Sequence, residues 1–169
     1  MKRGPNQIRL TGPPGNFSGL SCLLRLVLSR VMKSLPVTEN SLVLRTDFSD
    51  ESAWQRVRTA IEQPAGEFRA YVDFVSDPDF DGLTPEALAS AHSPDSPHSF
   101  VFIIDRTALA EPDHPILVVD LFEQPGRTFR VIPAEAWSVE NNLSLANMDF
   151  SEFAEAVDAD GVFRGFPQT

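Results

Sequence analysis

Cysteine is almost missing from this chain. Cys22 is the only one, which excludes an intramolecular disulfide and a cysteine-built zinc site and fits a reducing cytosol. Long apolar runs are missing too. Residues 20–28 form the most apolar N-terminal stretch, and Arg25 interrupts it. Nine residues fall far short of the ~20 that a membrane-spanning helix needs. The stretch also starts late for an export signal, and no small-residue cleavage site follows it. Catalytic signatures are equally scarce: G-x-S-x-G, a Walker-type loop, H-E-x-x-H, a dinucleotide fingerprint and C-x-x-C are all absent. Gly12, Pro13, Pro14 and Gly15 lack the lysine and following helix of a phosphate loop. These absences remove the most recognisable catalytic classes, and no cofactor is indicated.

Basic residues become rare after residue 31. Residues 1–31 carry five basic residues and no acidic one, whereas residues 32–169 carry nine basic and 24 acidic residues. The formal charges are therefore +5 and −15, which together give the −10 of the whole chain. So acidic a body repels phosphate backbones, so a nucleic-acid partner is not expected, whereas a basic protein partner would be steered towards it. Glycine and proline punctuate the first twenty residues and prevent a long regular element there. Met32, followed by Lys33, Ser34 and Leu35, reads like an ordinary cytosolic start. Residues 1–31 are thus expected to be a basic extension or an overrun upstream of the true start. Residues 32–169 then form a single acidic globular domain, rich in phenylalanine, with enough apolar material for a core.

Five segments of that body read as strands: residues 42–46, 68–75, 100–104, 116–119 (extending towards Phe122) and 128–132. The runs at 100–104 and 116–119 are almost continuously apolar, as central strands covered on both faces are. Gln124, Pro125, Gly126 and Arg127 have the chemistry of a type II turn, which makes the last two strands an antiparallel pair. A helix over residues 50–62 has Ser49 as its expected cap and Trp54, Val57 and Ile61 as its apolar stripe. A second opens at Thr84 and Pro85, with Leu83 and Leu88 placed as a hydrophobic staple. Pro133 can open a helical turn containing Trp137. The last helix, with Asp149 and Glu152 at capping-box positions, presents Phe150, Phe153, Ala154 and Val157 to the core. The order β-α-β-α-β-β-β-α-α implies an α+β (mixed α/β) fold: a single-layer mixed sheet of about five strands packed with three to four helices. The first two strands should be parallel through a right-handed crossover and the last three an antiparallel meander, without a doubly wound arrangement.

Asp47, Asp105 and Asp120 fall at strand ends, with Asp73 inside a strand. Carboxylates converging at one sheet edge can hold a divalent ion for hydrolysis or phosphoryl transfer. Aspartate after a strand is, however, a common turn former, and antiparallel neighbours present opposite ends. An internal ion-pair network using Arg106 and Arg130 is the preferred reading of Asp105 and Asp120. Asn141, Asn142 and Asn147 crowd between Trp137 and Phe153. Their amides could bind a ligand, but satisfying the backbone of the turn into the last helix is the preferred role. His92, His98 and His114 lie in proline- and aspartate-rich loops with no spacing for a shared metal. They are expected at the solvated surface, where His114 could orient its loop by a hydrogen bond.

Residues 42–47 with Trp54, then 100–106, 114–120, 126–131, 137–153 and 160–165, together resemble a small actinobacterial-type family known as a domain of unknown function, DUF6924. The resemblance spans roughly residues 41–166. It implies a compact cytosolic domain with no assigned activity and supplies no site residues. The leading functional expectation is therefore a non-enzymatic protein-interaction module, accessory or immunity-like, with a basic protein partner. The alternative is a small divalent-metal-dependent hydrolase or phosphoryl-transfer enzyme that uses Asp47, Asp105 and Asp120. Whether those three carboxylates meet in one pocket separates the two.

Overall fold

In chain order the elements are β1 (Ser41–Arg45), α1 (Glu51–Glu62), β2 (Val72–Val75), α2 (Pro85–Ala91), β3 (Phe100–Ile104), α3 (Arg106–Ala110), β4 (Ile116–Asp120), β5 (Thr128–Val131), α4 (Ala136–Ser144), α5 (Phe150–Glu155) and β6 (Val162–Phe163), with 3-10 turns at Pro78–Phe80 and Pro133–Glu135. The computed structural model describes residues 34–167, so the expectations for residues 1–31 and for a start at Met32 lie outside the described residues. The strands form one mixed sheet in the order β2-β1-β3-β4-β5-β6. β1 runs parallel to both β2 and β3, and β3-β4-β5 is the antiparallel meander, with β6 parallel to β5 at the far edge.

Side chains alternate across a strand, so an uninterrupted apolar strand needs cover on both faces. Val43, Phe102, Ile104, Val118 and Val131 belong to one buried cluster with Trp54, Val57 and Ile61 of α1, Val139 of α4, and Phe150 and Phe153 of α5. Leu42, Leu44, Val101, Ile103 and Val119 belong to a second cluster with Leu88 of α2. Each fully buried side chain of this size stabilises the fold by roughly 1.5–3 kcal/mol.

The mixed sheet is as expected, and α1 and α2 pack on its opposite faces. The chain moves from β1 outward to β2 and then back past β1 to β3. Right-handed crossovers in opposite directions must use opposite faces. The β2-β1-β3 half is therefore doubly wound, although the meander makes the sheet as a whole mixed.

The differences from expectation are local. Asp50, not Ser49, caps α1, because its Oδ1 accepts the Ala53 N–H at 2.8 Å. Strand two begins at Val72 rather than residue 68, since Phe68 pairs with Ala65 in a tight bridge and stacks its ring on Trp137 at 4.6 Å. The sheet has six strands rather than five; β6 has only two residues and gives no usable periodicity. α3, five residues long, was equally invisible. The turn between β4 and β5 is as expected: Gly126 has φ +90°, and the Arg127 N–H donates to the Gln124 carbonyl at 2.8 Å. Among the described residues no helix is long and apolar enough to cross a membrane.

Candidate functional site

The topology separates the three strand-end aspartates. Asp47 and Asp105 follow the parallel strands β1 and β3 at one edge of the sheet. Asp120 ends β4, which is antiparallel, and pairs in register with Phe100 at the start of β3. Five residues of strand, about 16 Å at ~3.3 Å per residue, lie between the Asp120 and Asp105 ends. One ion with ~2.1 Å bonds to oxygen cannot be shared by all three. Among the described residues no group of three or more His, Cys, Asp or Glu side chains is placed to hold a metal ion, and this includes the D-x-D-x-D-G stretch of Asp77, Asp79, Asp81 and Gly82.

Each aspartate instead has a local task. Asp47 accepts both the N–H and the hydroxyl of Ser49. Those two bonds, helped by Arg106 and Arg45, hold its carboxyl below the usual range. Asp105 caps α3 through the Ala108 N–H at 3.0 Å and takes both arms of Arg130 at 3.1 and 2.6 Å. The expected ion pair thus exists for Asp105 and Arg130 only. Arg106 is exposed and bonds neither carboxylate, and Asp120 has no arginine partner among the described residues. Asp73, inside β2, takes the Asn40 amide at 3.4 Å.

Open α/β sheets place ligands beyond the C-terminal ends of strands where the winding reverses, here between β1 and β3. In this chain that edge carries internal contacts. Arg45, almost completely buried, donates to the Asp47 carbonyl at 3.0 Å and to Glu51 at 2.5 Å, and lies 4.4 Å above the Phe48 ring. The Thr46 carbonyl accepts the Gly82 N–H at 2.9 Å.

The asparagines are not brought together as a site. Asn141 and Asn142 lie within α4, correcting their placement in a turn, and only Asn147 lies beyond it. The Asn142 amide donates to the Ser138 carbonyl at 2.8 Å, one helical turn back. Its own carbonyl accepts the Asn147 N–H at 2.9 Å and ends the helix. Two of the histidines also differ from expectation. His98 is buried, with Nε2 bonded to the Pro36 carbonyl at 3.0 Å. His92 has a buried Nδ1 without a partner, and burial together with the nearby His98 lowers its pKa. His114 does orient its loop, through Nδ1 and the Ala108 carbonyl at 2.8 Å.

The opposite end of the sheet is open. Asp120, 2% exposed, accepts the N–H groups of Phe122, Glu123 and Gln124 at 2.8, 3.1 and 2.8 Å. This curls the chain sharply after β4 and turns Phe122 outward, where it is 75% exposed. That is why the strand stops short of Phe122. On one side of Phe122 lies a pocket of about 230 Å³, floored by Phe100, Leu143, Met148 and Phe150 and edged by Glu123 and Asp149. On its other side a shallower hollow of about 530 Å³ runs past Leu121, Pro125, His92 and His98.

Two further features mark this rim. α4 ends with Leu145, 64% exposed, and Ala146 in a left-handed conformation at φ +52°. Such a backbone is costly for a residue with a Cβ. Glu123 has its carboxyl raised above the usual range by partial desolvation against the wall and by the charges of Asp149 and Asp120. Neighbouring Asp149 starts α5 in a capping box, its N–H donating to Glu152 at 2.8 Å. Phe122, Glu123 and Leu145 carried no motif and were missed as site residues. The one available signal was a large apolar residue directly after an expected turn-forming aspartate.

No curated protein matches this sequence. Residues 40–166 match the family model described as domain of unknown function (DUF6924), which covers most of the chain and all six strands of the sheet. The chain belongs to the DUF6924 family.

Proposed function

We propose that this protein is a non-enzymatic interaction module, accessory or immunity-like, and that the groove around Phe122 is where it meets a basic protein partner. One observation carries the reading: an exposed phenyl ring stands over an apolar pocket whose rim holds Glu123 and Asp149. Aromatic anchors beside a pocket are the usual energetic centre of a protein interface. The surplus of acidic residues supplies long-range attraction for a basic partner and repels nucleic acid. The single cysteine fits a reducing compartment, and we place the protein in the cytosol on that ground. The divalent-metal alternative has lost the convergence of Asp47, Asp105 and Asp120 that motivated it.

The test is affinity purification from cells with the wild-type chain and with a Phe122→Ser, Glu123→Lys variant of unchanged circular dichroism. A stoichiometric basic partner held by the wild type and released by the variant is expected. No stoichiometric partner across growth conditions, or one retained equally by the variant, refutes the reading.

A further inference from the structure

We propose that the groove accepts an arginine-led segment of the partner, an arginine followed by a large aliphatic side chain, with the guanidinium between Glu123, Asp149 and the Phe122 ring and the aliphatic group in the pocket over Leu143, Met148 and Phe150. This rests on the interaction reading above and names the chemistry of its partner.

Three observations converge on that occupant. The first is charge. Glu123, Asp149 and Asp120 gather at one rim, and the nearest cation of the same turn, Arg127, is engaged elsewhere, bonded to Gln124 at 3.2 Å and paired with Glu155 at 3.7 Å. Asp120 spends its carboxylate on three backbone N–H groups and Asp149 takes one in its capping box, so Glu123 is the uncommitted carboxylate and Asp149 offers its remaining lone pairs to an incoming donor. Partial desolvation and the neighbouring charges of Asp149 and Asp120 raise the Glu123 carboxyl above its usual range in the free protein. A cation placed there offsets the repulsion between these carboxylates.

The second is the aromatic face. A planar guanidinium stacks on a phenyl ring and bonds carboxylates in its own plane, a combination an ammonium cannot reproduce. This chain uses that arrangement internally, with Arg45 over Phe48 at 4.4 Å and Arg58 over Phe74 at 4.9 Å. Phe122 offers the same ring, with no cation above it among the described residues. The third is the pocket itself. At about 230 Å³ and with an apolar floor, it is sized for one or two aliphatic side chains rather than a cofactor.

The experiment is a titration of the full ¹⁵N-labelled chain, followed by amide shifts, with the capped peptide Gly-Ser-Arg-Leu-Ser-Gly. Two control peptides replace arginine by citrulline, or leucine by serine. Saturable shifts at Phe122, Glu123, Ala146 and Met148 are expected, with each control weakened about tenfold or more. Glu123→Gln, which keeps the backbone N–H bond to Asp120 and alters only an exposed side chain, should weaken the parent peptide to the level of the citrulline control. Equal binding of all three peptides, or shifts mapping to another acidic surface, overturns the proposal. So does a parent peptide that fails to bind. If cellular partner capture still depends on Phe122 in that last case, only the arginine-led segment is wrong; if capture also fails, the interaction reading falls with it.

Discussion

Replacing Asp105 with alanine removes two supports at once. The carboxylate caps α3 through the Ala108 N–H and grips Arg130 with both oxygens, and both side chains of the pair are about three-quarters buried. Loss of an aspartate cap costs about 1 kcal/mol. Loss of hydrogen bonds to a charged partner costs about 1.5–3 kcal/mol more. Arg130 keeps its bond to the Pro115 carbonyl at 2.7 Å, which holds the total near the lower end. We expect about 3 kcal/mol of destabilisation by urea unfolding, or roughly 10 °C in Tm for a domain of this size. A double-mutant cycle with Arg130→Met should give a coupling of about 1–2 kcal/mol, because the two side chains share one interaction. Additivity of the two changes, or an Asp105→Ala protein as stable as wild type, would refute this assignment. A metal role for Asp105 makes the opposite prediction: 10 mM MgCl₂ would raise the Tm of the wild type and not of the variant. The structural role predicts no difference.

Asn142→Ala and Asn147→Ala together should shift the unfolding free energy by less than about 0.5 kcal/mol, because the single side-chain bond lost within α4 is offset by alanine's helix preference. Gly126→Ala should destabilise by about 1–2 kcal/mol in chemical denaturation, from the left-handed strain that a Cβ introduces at φ +90°. His92 has a folded pKa below its unfolded value of about 6.5, so the unfolded chain takes up the proton first and stability falls as pH drops below 6.5. His92→Phe should flatten that part of the pH–stability curve; an unchanged slope would locate the effect elsewhere. Asp47 behaves in the same direction at lower pH: its lowered pKa contributes stability that is present above 3.8 and lost as the pH falls through the folded value. Asp47→Asn should remove that acid-side loss.

Where a segment's own chemistry determined its structure, the sequence was legible. The apolar runs at 100–104 and 116–119 lie in central strands because only two-sided burial accommodates them. Thr84 with Pro85 opens α2, and Pro125 with Gly126 forms the turn before β5. What depended on tertiary partners was hidden. Phe68 alternates with its neighbours like a strand residue, but Trp137, distant in sequence, captures its ring. Asp120 looked like one arm of an ion pair, and the three N–H groups that take its carboxylate come from the turn it creates. The groove was hidden for the same reason. Phe122 is apolar enough to extend β4, and only the curl imposed by Asp120 turns it outward to face Asp149, brought in from α5.

The central claim is that the groove around Phe122 is the contact surface for a basic partner. Calorimetric titration of the captured partner into the wild-type chain and into Phe122→Ser tests it most directly. Removing an aromatic anchor from an interface centre costs about 2 kcal/mol or more, so the dissociation constant should rise at least tenfold while the fold is unchanged. An equal dissociation constant for the two folded proteins would contradict the claim.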